Sequence, residues 1–170
     1  MRKYLVFFLL FLGSRQLQAQ FAQAEVSVNG LTCSQCSRSV EMALKRLDFI
    51  AKVEMDLQHP TARIVFMKNK AIDFSKLAAA VRDAGFNVRS IKARLDAHSN
   101  IADNCFLDNK IMYFNAGDAG QLKPGSSLLL LGNDLMSKTE LEKYKKQIKQ
   151  ARPLACYQKA KKDIPFILLN

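Results

Sequence analysis

Between Glu25 and Leu95 the spacing of apolar residues switches repeatedly between two and about 3.6 positions, and the order of those switches restricts the fold more than any other feature. The run EVSV alternates polar and apolar residues, as a half-buried strand does, and the Asn29-Gly30 pair ends it. Val40, Leu44 and Leu47 then recur at helical spacing, predicting a helix from about Ser34 to Leu47. Two strand-like runs follow, Ala51 to Asp56 and Thr61 to Met67, joined by LQHP as a hairpin. In the second, Ala62, Ile64 and Phe66 share one face. A second helix starts at Asp73, a plausible N-cap, turns Leu77, Ala80, Val81 and Ala84 inward, and stops at Gly85. NVRSIKARL reads as the last strand. The order β-α-β-β-α-β is that of the split-βαβ, ferredoxin-like sandwich, an α+β architecture.

The N-terminal residues set an expected compartment. MRK is a basic start, Tyr4 to Leu12 an apolar run, and GSRQLQA a polar stretch ending in a small residue, the pattern of a secretory signal peptide over 1–19. Nine apolar residues fall short of the roughly 20 a spanning helix needs, so no transmembrane segment is expected in the mature chain. The chain is read as exported, either periplasmic or secreted. Cleavage after Ala19 is preferred over cleavage after Ala24, which would trim to the edge of the first strand. Removal of Arg2, Lys3 and Arg15 lowers the formal charge from +11 to +8. The remaining cations are scattered without interleaved aromatics, which argues against nucleic acid as a partner.

Cys33 and Cys36 lie in GLTCSQC, where the first strand gives way to the first helix. Free N–H groups and the positive end of the helix dipole favour the thiolate at Cys36. Two soft thiolates at this spacing can close on one soft cation, and such ligands select copper(I) or mercury(II). A tetrahedral zinc(II) site calls for two further ligands, and no His, Cys or Asp adjoins the pair. Low coordination and easy handover are the expected result. A redox pair or a structural disulfide are the competing readings. His59 and His98 read as turn and linker residues, and Met42, Met55 and Met67 as fillers.

GLTCSQC, the amphipathic helix after it, KVEMDLQHPTARIVF and LAAAVRDAGF together resemble the heavy-metal-associated domain of copper chaperones, copper-transporting ATPases and the periplasmic mercury-binding protein. The resemblance covers roughly Glu25 to Leu95, and the domain that it implies is placed at 20–95. It implies a transition-metal carrier whose two metal-binding cysteines are Cys33 and Cys36. Leu31 stands where the family usually has Met, still apolar and able to plug the core beneath the loop. Phe86 falls at the aromatic position beside the site. Copper(I) is the expected cargo, with mercury(II), zinc(II) or another soft cation as alternatives.

The second half, 96–170, reads as a small α+β domain whose mainly antiparallel sheet could close like a barrel. CFLDNKIMYFN, SSLLLLGNDL, CYQKA and IPFILL supply its strands. SKTELEKYKKQIKQA is a helix with a Ser137-Glu140 capping box and a stripe of Leu141, Tyr144 and Ile148. Lys143, Lys145, Lys146 and Lys149 ring its outer part, a solvated face or a dock for an acidic partner. Cys105 and Cys156 are a candidate disulfide, and closing that loop of about 50 residues would add about 4 kcal/mol.

No arrangement of residues suggests catalysis. The expected function is a carrier that receives and passes on its metal through a donor or acceptor protein with exposed thiols. The alternatives are a thiol-disulfide exchanger using the same pair, or a sensor or adaptor for the second half.

Overall fold

The computed structural model describes residues 21–97, 105–108, 111–115, 122–151 and 166–169. The predicted signal peptide, His98, Cys156 and the CYQKA strand lie outside them. Strand β1 (Phe21–Asn29) is followed by α1 (Ser34–Lys45), β2 (Ile50–Asp56), β3 (Thr61–Phe66), α2 (Phe74–Asp83) and β4 (Asn87–Leu95). The second half adds β5 (Cys105–Asp108), β6 (Ile111–Asn115), β7 (Ser127–Leu131), α3 (Lys138–Ala151) and β8 (Phe166–Leu169). CFLDNKIMYFN, read from sequence as one strand, is two antiparallel strands, β5 and β6.

In the first half, β1 lies between β3 and β4, antiparallel to both, and β3 pairs with β2. The sheet order β2-β3-β1-β4 follows the expected ferredoxin-like arrangement. Alternate residues of these strands point to one face: Ala24, Val26 and Val28 of β1, Ala62, Ile64 and Phe66 of β3, and Ile91, Ala93 and Leu95 of β4. Against them pack Val40 and Leu44 of α1 and Phe74, Leu77 and Val81 of α2. Phe74 lies edge-on to Phe21 at 5.0 Å and to Phe66 at 5.8 Å. β1 begins four residues before the predicted Glu25 because Phe21 is part of this core.

The barrel-like sheet expected of the second half is not what forms. Among the described residues the eight strands belong to one open sheet, β2-β3-β1-β4-β7-β8-β6-β5, with β2 and β5 at its edges. β7 joins β4 antiparallel, with Ile91 opposite Leu130 and Ala93 opposite Leu128, so the hydrogen-bond ladder continues from the first half into the second. The physical reason lies in the four leucines, Leu128 to Leu131. Leu128 and Leu130 enter the core under α1 and α2, whereas Leu129 and Leu131 face the other way, onto Leu141, Tyr144 and Ile148 of α3. Both faces of β7 are covered, so its sequence lacks the alternation that shows which way a strand faces. Tyr113 of β6, also buried, meets Phe21 at 5.3 Å. No helix among the described residues is long and apolar enough to cross a membrane.

Candidate functional site

The strand pairings bring several connections to one end of the sheet. Ser27 faces Thr61 and Asn29 faces Asn87, so the β1–α1 loop, the β2–β3 turn and the α2–β4 loop lie together there. The Val28 N–H donates to the Pro60 carbonyl at 2.9 Å, tying the hairpin turn to the end of β1. The β7–α3 connection joins the same end. Ser137 N–H donates to the Arg89 carbonyl at 3.0 Å, and Arg82 Nη1 to the Asp134 carbonyl at 3.2 Å.

Gly30 turns the chain out of β1 with φ at +82°, a left-handed conformation that glycine reaches without a Cβ penalty. Leu31 is half-buried and packs against the core, as does Phe86 across the α2–β4 loop. Each therefore acts as an apolar plug anchoring one loop of this end. Thr32 and Cys33 are exposed, and Cys36 is half-buried in the first turn of α1.

Cys33 is the N-cap of α1. Its backbone is extended (φ −137°, ψ 156°), and its Sγ accepts the Cys36 N–H at 3.1 Å. Sulfur thus takes the place that a serine, threonine or aspartate oxygen fills at most helix starts. The N–H of Cys36 is thus directed at the sulfur of the capping residue. The Cys33 carbonyl is held in turn by Ser37, whose N–H donates at 3.1 Å and whose Oγ–H donates at 3.3 Å. Ser37 is one of the few buried polar side chains, at 5% exposure. Sequence reasoning missed it; the available signal was a serine four positions after a capping cysteine on the inward side of an amphipathic helix.

The two Cα atoms lie 5.3 Å apart and the two sulfurs are joined as a disulfide. In this state the pair has no thiolate to offer; two electrons and two protons convert it to a dithiol with two soft donors side by side. Among the described residues no group of three or more His, Cys, Asp or Glu side chains is placed to hold a metal ion. His59 sits on the hairpin turn, its side chain exposed and 3.5 Å from Asp56. Asp56 organises that turn by accepting the Gln58 and His59 N–H groups, each at 3.0 Å. The His59 N–H bond is the chief cause holding the Asp56 carboxyl below its ordinary value, with smaller contributions from Gln58 and Arg63. On α1, Lys45 and Arg38 both bind Glu41 and lower its carboxyl likewise.

The other sequence-predicted residues are not brought to this end. Cys105 lies on β5, at the far edge of the sheet, and its candidate partner Cys156 is outside the described residues. On α3, Lys143 pairs with Glu140 at 2.8 Å and Lys145 with Glu142, leaving Lys146 and Lys149 as the exposed lysines of the four without a carboxylate partner among the described residues. A groove of about 410 Å³ lies on the sheet face away from α1 and α2, lined by Glu25, Lys52, Glu54, Arg63, Lys92 and Arg94 among others. Neither Cys33 nor Cys36 lines it, so it is separate from the thiol chemistry.

Residues 25–87 match the family described as the heavy-metal-associated domain. Copper-transporting ATPase 1 of Rhizobium meliloti (strain 1021) is 35% identical over 69 residues, which are 41% of this chain and 8% of the ATPase. The copper chaperone CopZ of Staphylococcus haemolyticus (strain JCSC1435) is 28% identical over 64 residues, 38% of this chain and 93% of the chaperone. Among solved structures, oxidized MerP from Ralstonia metallidurans CH34 is similar at 29% identity, covering 39% of this chain and 90% of its own, with a TM-score of 0.36.

Proposed function

Because residues 25–87 of this chain are a heavy-metal-associated domain, we propose that the protein is an exported carrier that binds copper(I) between Cys33 and Cys36 and passes it to a thiol-bearing partner. The observation that carries this reading is the juxtaposition of the two sulfurs at a solvent-facing helix start, with no third metal-ligating side chain grouped with them among the described residues. Two thiolates suit a soft monovalent ion that accepts low coordination. The copper specificity draws on the relatives, several of which are copper chaperones or copper-transporting ATPases.

Transfer follows from exposure. Cys33 faces solvent, so a partner thiolate can add to the bound ion while Cys33 and Cys36 still hold it. One of these two then leaves, and no step requires the free ion. Leu31 and Phe86 support this exchange by keeping the loops at the site anchored to the core. Export is part of the same proposal. Cleavage after Ala19 leaves β1 whole, whereas cleavage after Ala24 would remove Phe21 and its contacts with Phe74 and Tyr113. N-terminal sequencing of the processed protein is expected to begin at Gln20. An acidic docking surface on the partner, if one is used, would meet Lys146 and Lys149 more readily than the paired Lys143 and Lys145.

The deciding experiment is an anaerobic competition titration of the reduced chain with copper(I) against a chromophoric chelator, beside Cys33→Ser and Cys36→Ser. One tight equivalent, lost in both variants, is the expected result. Undiminished affinity in either variant would remove the site assignment, and preference for mercury(II) or zinc(II) over copper(I) would change the cargo.

A further inference from the structure

We propose that the groove on the sheet face away from α1 and α2 is an anion site, in which Arg94 and Lys92 of β4 hold the carboxylate or phosphate group of a small molecule. The site is independent of the carrier reading and lies at the other end of the sheet from the cysteines. Arg94 is opposite Gln23 and Lys92 opposite Glu25, near the start of β1, whereas Asn29 at the cysteine end is opposite Asn87. Lys92 and Arg94 are two residues apart on one strand, so their side chains leave the same face about 7 Å apart. Among the described residues neither has a carboxylate partner, whereas at the remote side of the groove Lys52 pairs with Glu54, and Arg63 with Glu25 and Asp56. The two carboxylates of the groove, Glu25 and Glu54, are therefore already engaged by cations, and the surplus positive charge falls on β4. Adjacent like charges repel, and an anion placed between them removes that repulsion.

The second half builds this end of the groove. Pro124 and Gly125 are the central residues of a turn closed by the Ser126 N–H on the Lys123 carbonyl at 3.1 Å, and Gly125 takes φ +79°, as the third position of such a turn requires. The Leu95 N–H donates to the Ser126 carbonyl at 2.9 Å and fixes the turn against β4. Arg94 Nε then donates to the Gly125 carbonyl at 3.3 Å. That bond orients the guanidinium and leaves its two terminal amino groups, the fork that matches an oxyanion. Ser127 is opposite Arg94 in register and lines the groove with it, adding a hydroxyl. The first half alone has neither the Gly125 carbonyl nor Ser127, so the site is complete only when both halves are present. The rest of the groove sets the shape of the ligand. Across the strands from Arg94 come Gln23 and then the exposed Val65, an amide followed by an apolar side chain. A volume of about 410 Å³ is in the range of small-molecule sites. The ligand class is thus a small molecule with one anionic group and an uncharged body.

The test is an NMR titration of the full, nitrogen-15-labelled chain with inorganic phosphate and, separately, with sodium pentanoate, each against sodium chloride at matched ionic strength. Saturable shifts in the backbone amides of 92–95 and 125–128, beyond those chloride produces, are expected. Saturation by phosphate alone assigns a phosphate group to the ligand, and saturation by pentanoate alone assigns a carboxylate. Arg94→Gln and Lys92→Gln are each expected to weaken binding about tenfold, the effect of losing one charged hydrogen bond. Arg94→Lys, which keeps the charge without the fork, is expected to fall between Arg94→Gln and the unaltered chain, and it keeps the test decisive should Arg94→Gln fail to fold. Lys149→Gln removes the same charge from α3 and is expected to leave binding unchanged. Shifts that follow ionic strength alone, saturation by neither anion, undiminished binding in the Arg94 and Lys92 variants, or equal weakening by Lys149→Gln would overturn the site.

Discussion

Cys33 joins two roles that helices usually keep apart, since its sulfur caps α1 and is also a candidate donor to the metal. Ser37 fixes the carbonyl of the same residue from a buried position on α1. Ser37→Ala is expected to cost about 1 kcal/mol of stability, the usual net value of one intramolecular hydrogen bond, measured by urea unfolding of the reduced chain. Asp56 provides a second prediction at this scale. Its carboxyl is lowered in the folded chain, so the stability it contributes is present above the unfolded pKa, about 3.9. That stability is lost as pH falls through the still lower folded value. Acid titration of thermal unfolding should show this loss beside those of the likewise lowered Glu41 and Glu54, and Asp56→Asn should remove only its own part while the neutral-pH dependence stays unchanged.

Among the elements, α2 shows how a short helix is fixed at both ends. Asp73 accepts the Ser75 and Lys76 N–H groups at 2.9 and 3.1 Å, and Gly85, at φ +89°, turns the chain out toward Phe86 and the site. Asp73→Ala is expected to cost about 1 kcal/mol by loss of the cap, read from the denaturant midpoint. β2 is an edge strand, and its outward Lys52 and Glu54 and the irregular register between Ile50 and Lys52 make it a poor template for pairing with another chain. β4 would be the opposite edge of the first half alone. In the whole chain β7 pairs with that edge.

For the molecule as a whole, that covering makes the second half a structural continuation of the first. Leu128, Leu130 and Tyr113 enter the same core as α1 and α2, and the β7–α3 connection is bound to Arg82 and Arg89 at the end that carries the cysteines. Leu130→Ala is expected to cost about 2 to 5 kcal/mol, as for other fully buried leucines, in equilibrium unfolding. Truncation after Asp96 should leave β4 with an unpaired edge and Phe21 without Tyr113, so the truncated chain should unfold at a lower temperature and self-associate in size-exclusion chromatography. Unchanged melting and a monomeric profile would show that β7 adds no stability to the first half.

The order of strands and helices from Phe21 to Leu95 was legible in the sequence because each is buried on one face, and one-sided burial writes a period of two or 3.6 into the residues. The placement of Cys33 and Cys36 at a strand-to-helix junction was legible for the same reason, and so was Asp73, since a cap is a local hydrogen bond. Only the tertiary structure decided that the Cys36 N–H is donated to Cys33 Sγ, because that depends on the backbone angles of one residue. It alone placed Ser37 beneath the loop, since a buried serine resembles an exposed one until its neighbours are known. It alone joined β7 to β4 as well. Leu128 to Leu131 are covered on both faces and carry no period, and strand pairing between segments 30 or more residues apart is fixed by packing and free backbone groups, which local sequence does not record.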